Sequence, residues 1–197
     1  LYKTFNPGTI NEKLALNGLS LTLKEGDFVT VIGGNGAGKS TMLNAVAGTW
    51  MVDEGQILID GTDVTRLSEH KRAAYLGRVF QDPMTGTAAT MGIEENLALA
   101  KRRGKTRFLR PGITRKERDE YRELLKVLGL GLEDRLTSKV GLLSGGQRQA
   151  LTLLMATLKK PKLLLLDEPA AGMNPNETGE LMETIQFVRE HFGMTIL

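Results

Sequence analysis

A glycine-rich segment at residues 33–40 carries the most specific chemistry in this sequence. It fits the spacing G-x-x-x-x-G-K-[ST], follows an apolar run at residues 28–32, and leads into a helix-forming stretch. Backbone N–H groups in such a loop converge on phosphate oxygens, and the helix that follows adds its positive end. Lys39 can reach the β- and γ-phosphates, and the hydroxyl of Ser40 can ligate Mg²⁺. The predicted phosphate-binding loop consists of Gly33, Gly34, Asn35, Gly36, Ala37, Gly38, Lys39, Ser40 and Thr41.

Two carboxylates follow a run of four leucines at residues 163–166. Such a run is typical of a central parallel strand that is buried on both faces. Asp167 at its carboxyl end can hold Mg²⁺ through water, and Glu168 can act as a base or orient water toward the γ-phosphate. Taken alone, the same letters would also fit a strand that ends in an acidic turn. Beside the phosphate-binding loop, they predict the acidic half of a triphosphate-hydrolysing site.

A second anion-binding helix start is predicted at residues 143–149, which read LSGGQRQ. Ser144 is a natural N-cap, and Gly145 and Gly146 leave the first helical N–H groups accessible. One triphosphate cannot fill two such sites if they lie on different parts of one subunit. Two copies placed head to tail can fill both, and this arrangement has the two-fold symmetry of the commonest dimers.

The elements that must position these groups follow from hydrophobic periodicity. Strict alternation predicts a half-buried strand at 19–23, and a continuous apolar run predicts a fully buried strand at 28–32. The further predicted strands are 56–59, 76–80 and 162–166, and the predicted helices are 39–47, 93–102, 114–128, 144–158 and 176–191. The two ends of the chain are therefore α/β, and its middle is mainly helical.

Composition narrows the class of protein. The 197 residues are 41% hydrophobic and 25% charged, with a net charge of +3 that is too small to indicate a nucleic-acid partner. Cysteine is absent, which excludes a disulfide framework and thiolate metal sites and is consistent with a cytosolic setting. No apolar run reaches the length of a membrane span, and no signal peptide is visible. Because the sequence starts at Leu1 and stops within an apolar run, we expect it to be an incomplete copy of a slightly longer domain.

Residues 101–118 are strongly basic, with nine positive charges against Glu117 alone. A solvated loop and helix face accounts for such a run, and so does contact with lipid headgroups or with an acidic partner. Nucleic acid is a weaker interpretation, because Phe108 is the only aromatic residue in the run that could stack on a base.

The phosphate-binding loop, Gln81 after a strand, the 143–149 run and the 163–168 run together resemble the ATP-binding-cassette (ABC) ATPases. The resemblance covers essentially the whole chain. It implies an α/β fold: a P-loop NTPase (RecA-like) core with a mainly parallel sheet, an antiparallel β subdomain and an inserted helical subdomain. The implied boundaries are one domain over 1–197, with the nucleotide-binding core at 1–81 and 162–197 and the helical subdomain at 82–161.

The same resemblance implies roles for individual residues. Glu168 and Gln81 would be catalytic, and Gln81 would touch both Mg²⁺ and the attacking water. Phe5 would stack on adenine, although an ordinary aromatic residue of an edge strand would give the same sequence pattern. The implied metal ligands are Ser40, Gln81 and Asp167. The implied contacts to ATP, beyond the phosphate-binding loop, are Phe5, Ser144, Gly145, Gly146 and Gln147.

The expected cofactors are ATP and Mg²⁺. The family resemblance also implies a homodimer or heterodimer of ATPase subunits, transmembrane permease subunits and a substrate-binding protein, with no nucleic-acid partner. The ATPase would lie on the cytoplasmic face of the membrane and power a bacterial amino-acid importer. The loop after Gln81 and the helical subdomain would transmit the motion.

Two departures from the family pattern affect the expected activity. Asn174 stands where the loop after the glutamate usually ends in aspartate, as in ATPases of branched-chain amino-acid importers. The switch histidine of the family lies beyond the last strand, and neither His70 nor His191 fits that role. We therefore expect this chain to bind ATP but to hydrolyse it poorly. The sequence up to Glu168 resembles ATPases of lipoprotein-fed importers, whereas the sequence from Pro169 onward resembles the branched-chain type. Natural variation and a recombined or designed chain would both explain this difference.

Three other functions are alternatives to this interpretation. A truncated or engineered nucleotide-binding module would have weak or no ATPase activity. A soluble ABC ATPase acting on nucleic acid or ribosomes usually carries two cassettes or long insertions, which are not visible here. A P-loop kinase would leave the 143–149 run unexplained.

Overall fold

The computed structural model describes residues 1–82, 84–103 and 112–197. Residues 104–111 of the basic segment, including Phe108, lie outside these ranges. The strands are β1 (Lys3–Phe5), β2 (Lys13–Leu16), β3 (Leu58–Ile59), β4 (Thr62–Asp63), β5 (Leu76–Val79), β6 (Leu163–Leu166) and β7 (Thr195–Ile196). The helices are α1 (Lys39–Ala47), α2 (Glu69–Arg72), α3 (Ile93–Lys101), α4 (Arg115–Lys126), α5 (Gly145–Thr157) and α6 (Pro175–Phe192), with a 3₁₀ turn at Val140–Leu142.

The strands form three small sheets. Strands β1 and β2 pair antiparallel, as do β3 and β4. The third sheet has the order β5-β6-β7, and β6 and β7 run parallel, with Leu163 opposite Thr195 and Leu164 opposite Ile196. A parallel pair needs a crossover connection, and here α6 supplies it.

By backbone contacts the chain divides into two compact units. The first unit consists of residues 1–78, 161–167 and 193–197, and the second of residues 79–160 and 168–192. Residues 168–192, which the sequence analysis assigned to the core, group with the helices because α6 packs against α5. The division into subdomains inferred from the sequence stays a prediction.

Each unit has its own apolar core. In the first unit, α1 buries Met42, Leu43 and Ala45 against the sheet residues Leu163 and Leu165. In the second unit the central side chains come from α3, α4 and α5, and the most deeply buried are Ile93, Leu97, Tyr121, Leu125 and Leu151. The period-3.6 apolar stripe predicted for 114–128 is confirmed, since Tyr121 and Leu125 are fully buried.

The prediction of a fully buried strand at 28–32 is wrong. Phe28 forms a single parallel bridge to Ile196, and Val29 donates to the Ile196 carbonyl at 3.0 Å. Beyond that bridge, no described strand pairs with residues 30–32, and Ile32 is 91% exposed. An apolar run becomes a buried strand only where neighbours cover both of its faces.

The half-buried strand predicted at 19–23 is also absent. Leu19 donates its N–H to the Leu1 carbonyl at 3.0 Å, but Leu21 is 47% exposed and no ladder forms among the described residues. Alternation marks which side chains face a core, whereas strand pairing also needs a neighbouring backbone. The strand predicted at 56–59 shortens to Leu58–Ile59 for the same reason.

The helices follow their sequence signals closely. Helix α1 starts at Lys39 and ends where Gly48 takes the left-handed conformation with φ 84°, as its terminal glycine predicts. Helix α4 begins with a capping box. The Thr114 hydroxyl accepts from the Glu117 N–H at 3.2 Å, and the Glu117 carboxylate accepts from the Thr114 N–H at 2.8 Å.

This cap supports a prediction about stability. Replacing Thr114 with alanine should lower the free energy of unfolding by about 1 kcal/mol, because one helix N–H loses its acceptor. The Thr114 N–H, with help from Arg102, lowers the pKa of Glu117 from 4.5 to about 2. The carboxylate therefore contributes fully above pH 4.5, and its contribution is lost as the pH falls toward 2.

Urea denaturation across this pH range measures the effect. Thr22→Ala, at an exposed threonine outside any helix, is the control and should change stability by less than about 0.5 kcal/mol. Equal stabilities of the Thr114→Ala variant and the parent at pH 7 would contradict the assignment.

Candidate nucleotide-binding site

The phosphate-binding loop lies in the first unit and leads directly into α1. Gly36 and Gly38 have φ values of 81° and 90°, which belong to the left-handed region that favours glycine. The Ala37 N–H donates to the Gly34 carbonyl at 3.2 Å, closing a turn, and the Met42 N–H donates to the Gly38 carbonyl at 2.8 Å. The loop therefore curls around the amino end of the helix, where the first N–H groups of a helix have no intrahelical partner.

Glycine at position 38 is required by space as well as by conformation. A methyl group built on Gly38 would lie 2.7 Å from the carbonyl oxygen of Ala15 in β2. Any larger residue would push the loop away from that strand. The close approach shows that β2 lines one side of the loop.

Lys39 lies against the start of the loop. Its ammonium group donates to the Gly33 carbonyl at 2.6 Å and to the Gly34 carbonyl at 3.2 Å. These bonds hold the charge beside the backbone of the loop. A bound phosphate would find both kinds of donor in one place.

Asp167, the predicted metal-binding carboxylate, belongs to the first unit and lies one residue after β6. Its Oδ2 lies 3.6 Å from the Arg78 guanidinium, which also donates to Asn44 of α1 at 2.8 Å. Arg78 thus ties the carboxyl end of the central strand to the helix that follows the loop. Sequence reasoning missed Arg78, because nothing in the order of residues marks an arginine in β5 as a neighbour of α1.

The hydroxyl of Ser40 and the carboxylate of Asp167 are hard oxygen donors of the kind that Mg²⁺ prefers. Ser40 is exposed, and the Asp167 side chain keeps 19% of its surface accessible. Both therefore fit a magnesium ion that keeps several of its waters. Among the described residues, no group of three or more histidine, aspartate or glutamate side chains could hold a metal ion.

Phe5 ends β1 and packs against a second aromatic residue. Its ring centroid lies 4.9 Å from that of Trp50 in an edge-to-face arrangement, and the Lys3 ammonium lies 5.6 Å from the ring. Trp50 was missed by sequence reasoning, although it is the single tryptophan of the chain. The contact holds Phe5 in one orientation while part of its ring remains accessible.

The second unit holds Gln81, Glu168 and the glycine-rich start of α5. Ser144 caps α5 as predicted: its hydroxyl accepts from the Gln147 N–H at 3.2 Å, and Gln147 reaches back to the Ser144 N–H at 3.2 Å. A methyl group on Gly145 would meet no described atom within 4 Å, whereas one on Gly146 would lie 3.7 Å from the Glu177 side chain, so this helix start is open at Gly145. Gln81 is exposed and precedes a turn in which the Asp82 carboxylate accepts from the Met84 N–H at 2.8 Å.

Glu168 has an unusual backbone. Its φ is 46°, a left-handed value that costs a non-glycine residue about 1 kcal/mol or more. The surroundings hold it there. The Ala171 N–H donates to the Glu168 carbonyl at 3.0 Å, and the buried Gln149 amide donates to the Pro169 carbonyl at 2.9 Å. Gln149 therefore connects α5 to the loop that carries the glutamate, a link that the sequence did not reveal.

Asn174, the departure noted in the sequence, serves as the cap of α6. Its Oδ1 accepts from the Glu177 N–H at 3.0 Å, and the Glu177 carboxylate accepts from the Asn174 N–H at 3.2 Å. Asparagine and aspartate are equally good in this capping position. The substitution therefore keeps the local geometry of the loop.

A glycine-rich loop that leads into a helix, together with a carboxylate at the end of a parallel strand, defines a P-loop nucleotide-binding protein. Residues 16–171 match the ABC transporter family, and the chain belongs to that family. This match confirms the expected α/β P-loop fold, ATP binding and ATPase activity of the domain.

Three known proteins illustrate the similarity. A tyrosine transport ATP-binding protein of Clostridioides difficile strain R20291 is 44% identical over 192 residues, 97% of this chain and 74% of that protein. The methionine import protein MetN of Rhizobium johnstonii is 35% identical over 187 residues, 93% of this chain, and the chain spans about half (49%) of its length. The dimeric ATP-binding cassette MJ0796, bound to ADP and Pi, superposes with a TM-score of 0.79 at 29% identity and covers 99% of this chain and 83% of its own.

Within the described ranges, none of the helices is both long and apolar enough to cross a membrane.

Proposed function

We propose that this chain is the ATP-hydrolysing subunit of an amino-acid importer and works as one half of a dimer of such subunits. The observation that carries the proposal is the serine-capped start of α5, open at Gly145, which we infer to be a second anion site in addition to the phosphate-binding loop. The tyrosine and methionine transport relatives support the amino-acid class of substrate.

The proposed roles follow from the chemistry of each group. Lys39 and the loop N–H groups bind the β- and γ-phosphates, and Ser40 and Asp167 hold Mg²⁺, which would neutralise phosphate charge. Glu168 takes the proton of the attacking water or orients that water, and Gln81 contacts the water and the metal. Phe5 stacks on adenine.

We infer a dimer because each subunit has two predicted phosphate-binding sites but binds one triphosphate in its own loop. One triphosphate occupies the phosphate-binding loop of its own subunit, and Ser144, Gly145, Gly146 and Gln147 remain to contact the γ-phosphate held by a partner. ATP then favours the closed dimer, and hydrolysis removes the phosphate that joins the two copies. The dimeric state of the similar cassette MJ0796 supports this arrangement.

Replacing Ser144 with arginine tests the shared site. The long cationic side chain should fill the space of the partner's γ-phosphate and prevent ATP-driven dimerisation, while ATP binding by each monomer stays within about threefold of the parent. Size-exclusion chromatography with light scattering, with and without Mg²⁺ and ATP, measures the dimer. The measurement is best made in the Glu168→Gln background, where ATP persists.

Ser20→Arg adds the same charge at an exposed serine of the first unit and should dimerise normally. If Ser144→Arg instead blocked ATP binding by monomers with an unchanged melting temperature, the two-subunit site would be wrong.

Membrane partners and location form the second half of the proposal. We place the subunit at the cytoplasmic face of the cell membrane, bound to transmembrane permease subunits that receive amino acids from a binding protein. Affinity purification of the tagged chain from cross-linked membranes should recover integral membrane subunits. Recovery of RNA or DNA in their place would favour a soluble ABC ATPase.

The substrate class is tested separately. Loss of the gene should reduce uptake of at least one labelled amino acid, with tyrosine, methionine and the branched-chain amino acids tried first. Unchanged uptake of all of them would contradict the amino-acid assignment but leave the ATPase assignment intact.

A further inference from the structure

Lys13 occupies a position between the two ends of the nucleotide site in the first unit. It begins β2, and in the antiparallel register of β1 and β2 its Cα lies directly opposite that of Phe5. Phe5 is the proposed adenine platform. A cation opposite it on the neighbouring strand therefore lies close to the nucleoside end of the site.

The same strand runs along the phosphate-binding loop. A methyl group on Gly38 would lie 2.7 Å from the Ala15 carbonyl oxygen, and one on Gly36 would lie 3.8 Å from the Lys13 ammonium nitrogen. Positions 13 and 15 of the strand thus match positions 36 and 38 of the loop, two residues apart in each case. This equal spacing places the Lys13 ammonium beside the middle of the loop.

The two lysines of the site lie at different parts of the loop. Lys39 donates to the carbonyls of Gly33 and Gly34 at the start of the loop, whereas Lys13 lies beside Gly36. None of the ion pairs among the described residues involves Lys13. Its ammonium group therefore lies beside the loop, and no carboxylate in the described part of the chain forms an ion pair with it.

We propose that Lys13 is a second phosphate-binding cation, which contacts the α- and β-phosphates of the bound nucleotide from the nucleoside side. The proposal rests on nucleotide binding by the domain and assigns a residue outside the G-x-x-x-x-G-K-[ST] motif to that site. Because the γ-phosphate is the part farthest from adenine, the contribution of Lys13 is shared by ATP and ADP.

Replacing Lys13 with methionine, which keeps the length of the side chain and removes its charge, tests the proposal. The Kd values of both ATP and ADP should rise by about tenfold, the effect of one charge-assisted hydrogen bond to phosphate. The ratio of the two Kd values should stay within about twofold. Lys13→Arg should keep both Kd values within about threefold of the parent, since arginine also binds phosphate.

Isothermal titration at low and high salt measures these constants, and Lys24→Met removes the same charge at an exposed lysine in the turn before residue 28. Lys24→Met should leave both Kd values unchanged. Equal effects of the two methionine variants, or less than a twofold effect of Lys13→Met, would overturn the inference while the parent still binds ATP. Failure of the parent to bind ATP would overturn the proposed function as well.

Lys13 is exposed and contributes no buried contact, so these variants should fold. If Lys13→Met nevertheless lowered the melting temperature, Lys13→Gln should reproduce the tenfold loss of affinity at a temperature where both variants are folded. A loss that appeared only in the unstable variant would overturn the proposal.

Discussion

Replacing Lys39 with alanine is expected to weaken ATP binding by about 100-fold or more. The change removes the only proposed cation that reaches the γ-phosphate, together with two or more charge-assisted hydrogen bonds worth about 1.5 kcal/mol or more each. The fold should tolerate it, because the lost intramolecular bonds go to the carbonyls of Gly33 and Gly34 in an exposed loop. The variant therefore separates loss of the ligand from loss of the structure.

The single tryptophan offers a direct measurement. Trp50 packs against Phe5, so adenine stacking on Phe5 should change the intrinsic fluorescence of the protein during an ATP titration. The matched control, Lys24→Ala, removes an exposed lysine of equal charge and should titrate like the parent. A Lys39→Ala variant that bound ATP within threefold of the parent would show that the loop is not the phosphate site.

Replacing Glu168 with glutamine is expected to lower the rate of ATP hydrolysis by about 10²- to 10⁴-fold while ATP still binds. Glutamine has the size and shape of glutamate but cannot accept the proton of the attacking water. The backbone at this position, with φ 46°, is held by Ala171 and by Gln149 through Pro169, so the side-chain change should leave the loop in place. The expected product is an ATP-loaded dimer that no longer dissociates.

Single-turnover hydrolysis of labelled ATP measures the chemical step directly, and light scattering reports the dimer. Glu180→Gln, at an exposed acid on α6, is the control for charge and should hydrolyse ATP at the parental rate. If Glu168→Gln caused no further loss, the chain would be a nucleotide-binding module that was already inactive.

The two variants also test the order of events. Lys39→Ala should prevent both nucleotide binding and dimerisation, whereas Glu168→Gln should allow both and stop only hydrolysis. Dimerisation without ATP in the Lys39→Ala variant would mean that the nucleotide does not bridge the subunits.

Local signals predicted the helices well because they act within a few residues of the chain. The start of α1 at Lys39, its end at Gly48, and the Ser144 and Thr114 caps are all encoded by residues within one helical turn of the boundary. The strand at 163–166 was equally clear, because a run of four leucines suits a strand that is covered on both faces. Leu163, Leu164 and Leu165 are buried, and Leu166 is partly buried.

The strand predictions at 19–23 and 28–32 failed because strands depend on distant partners. Hydrophobic alternation and apolar runs indicate which side chains of a segment could be buried. They do not show whether another strand lies beside that segment to pair with it. Only the pairing of Phe28 with Ile196, 168 positions away, showed how little of the second run joins the sheet.

The sequence alone determined the family and the helix ends, and it predicted the residues for phosphate chemistry. Each of these depends on residue types at short, fixed spacing. The tertiary structure alone placed Lys13 beside Gly36, Arg78 beside Asp167, Trp50 against Phe5, and Gln149 against Pro169 in the loop after Glu168. These pairs lie between 20 and 89 positions apart, with no periodicity to connect them. They meet because the chain folds back on itself to bury apolar surface, which brings together residues that no local pattern relates.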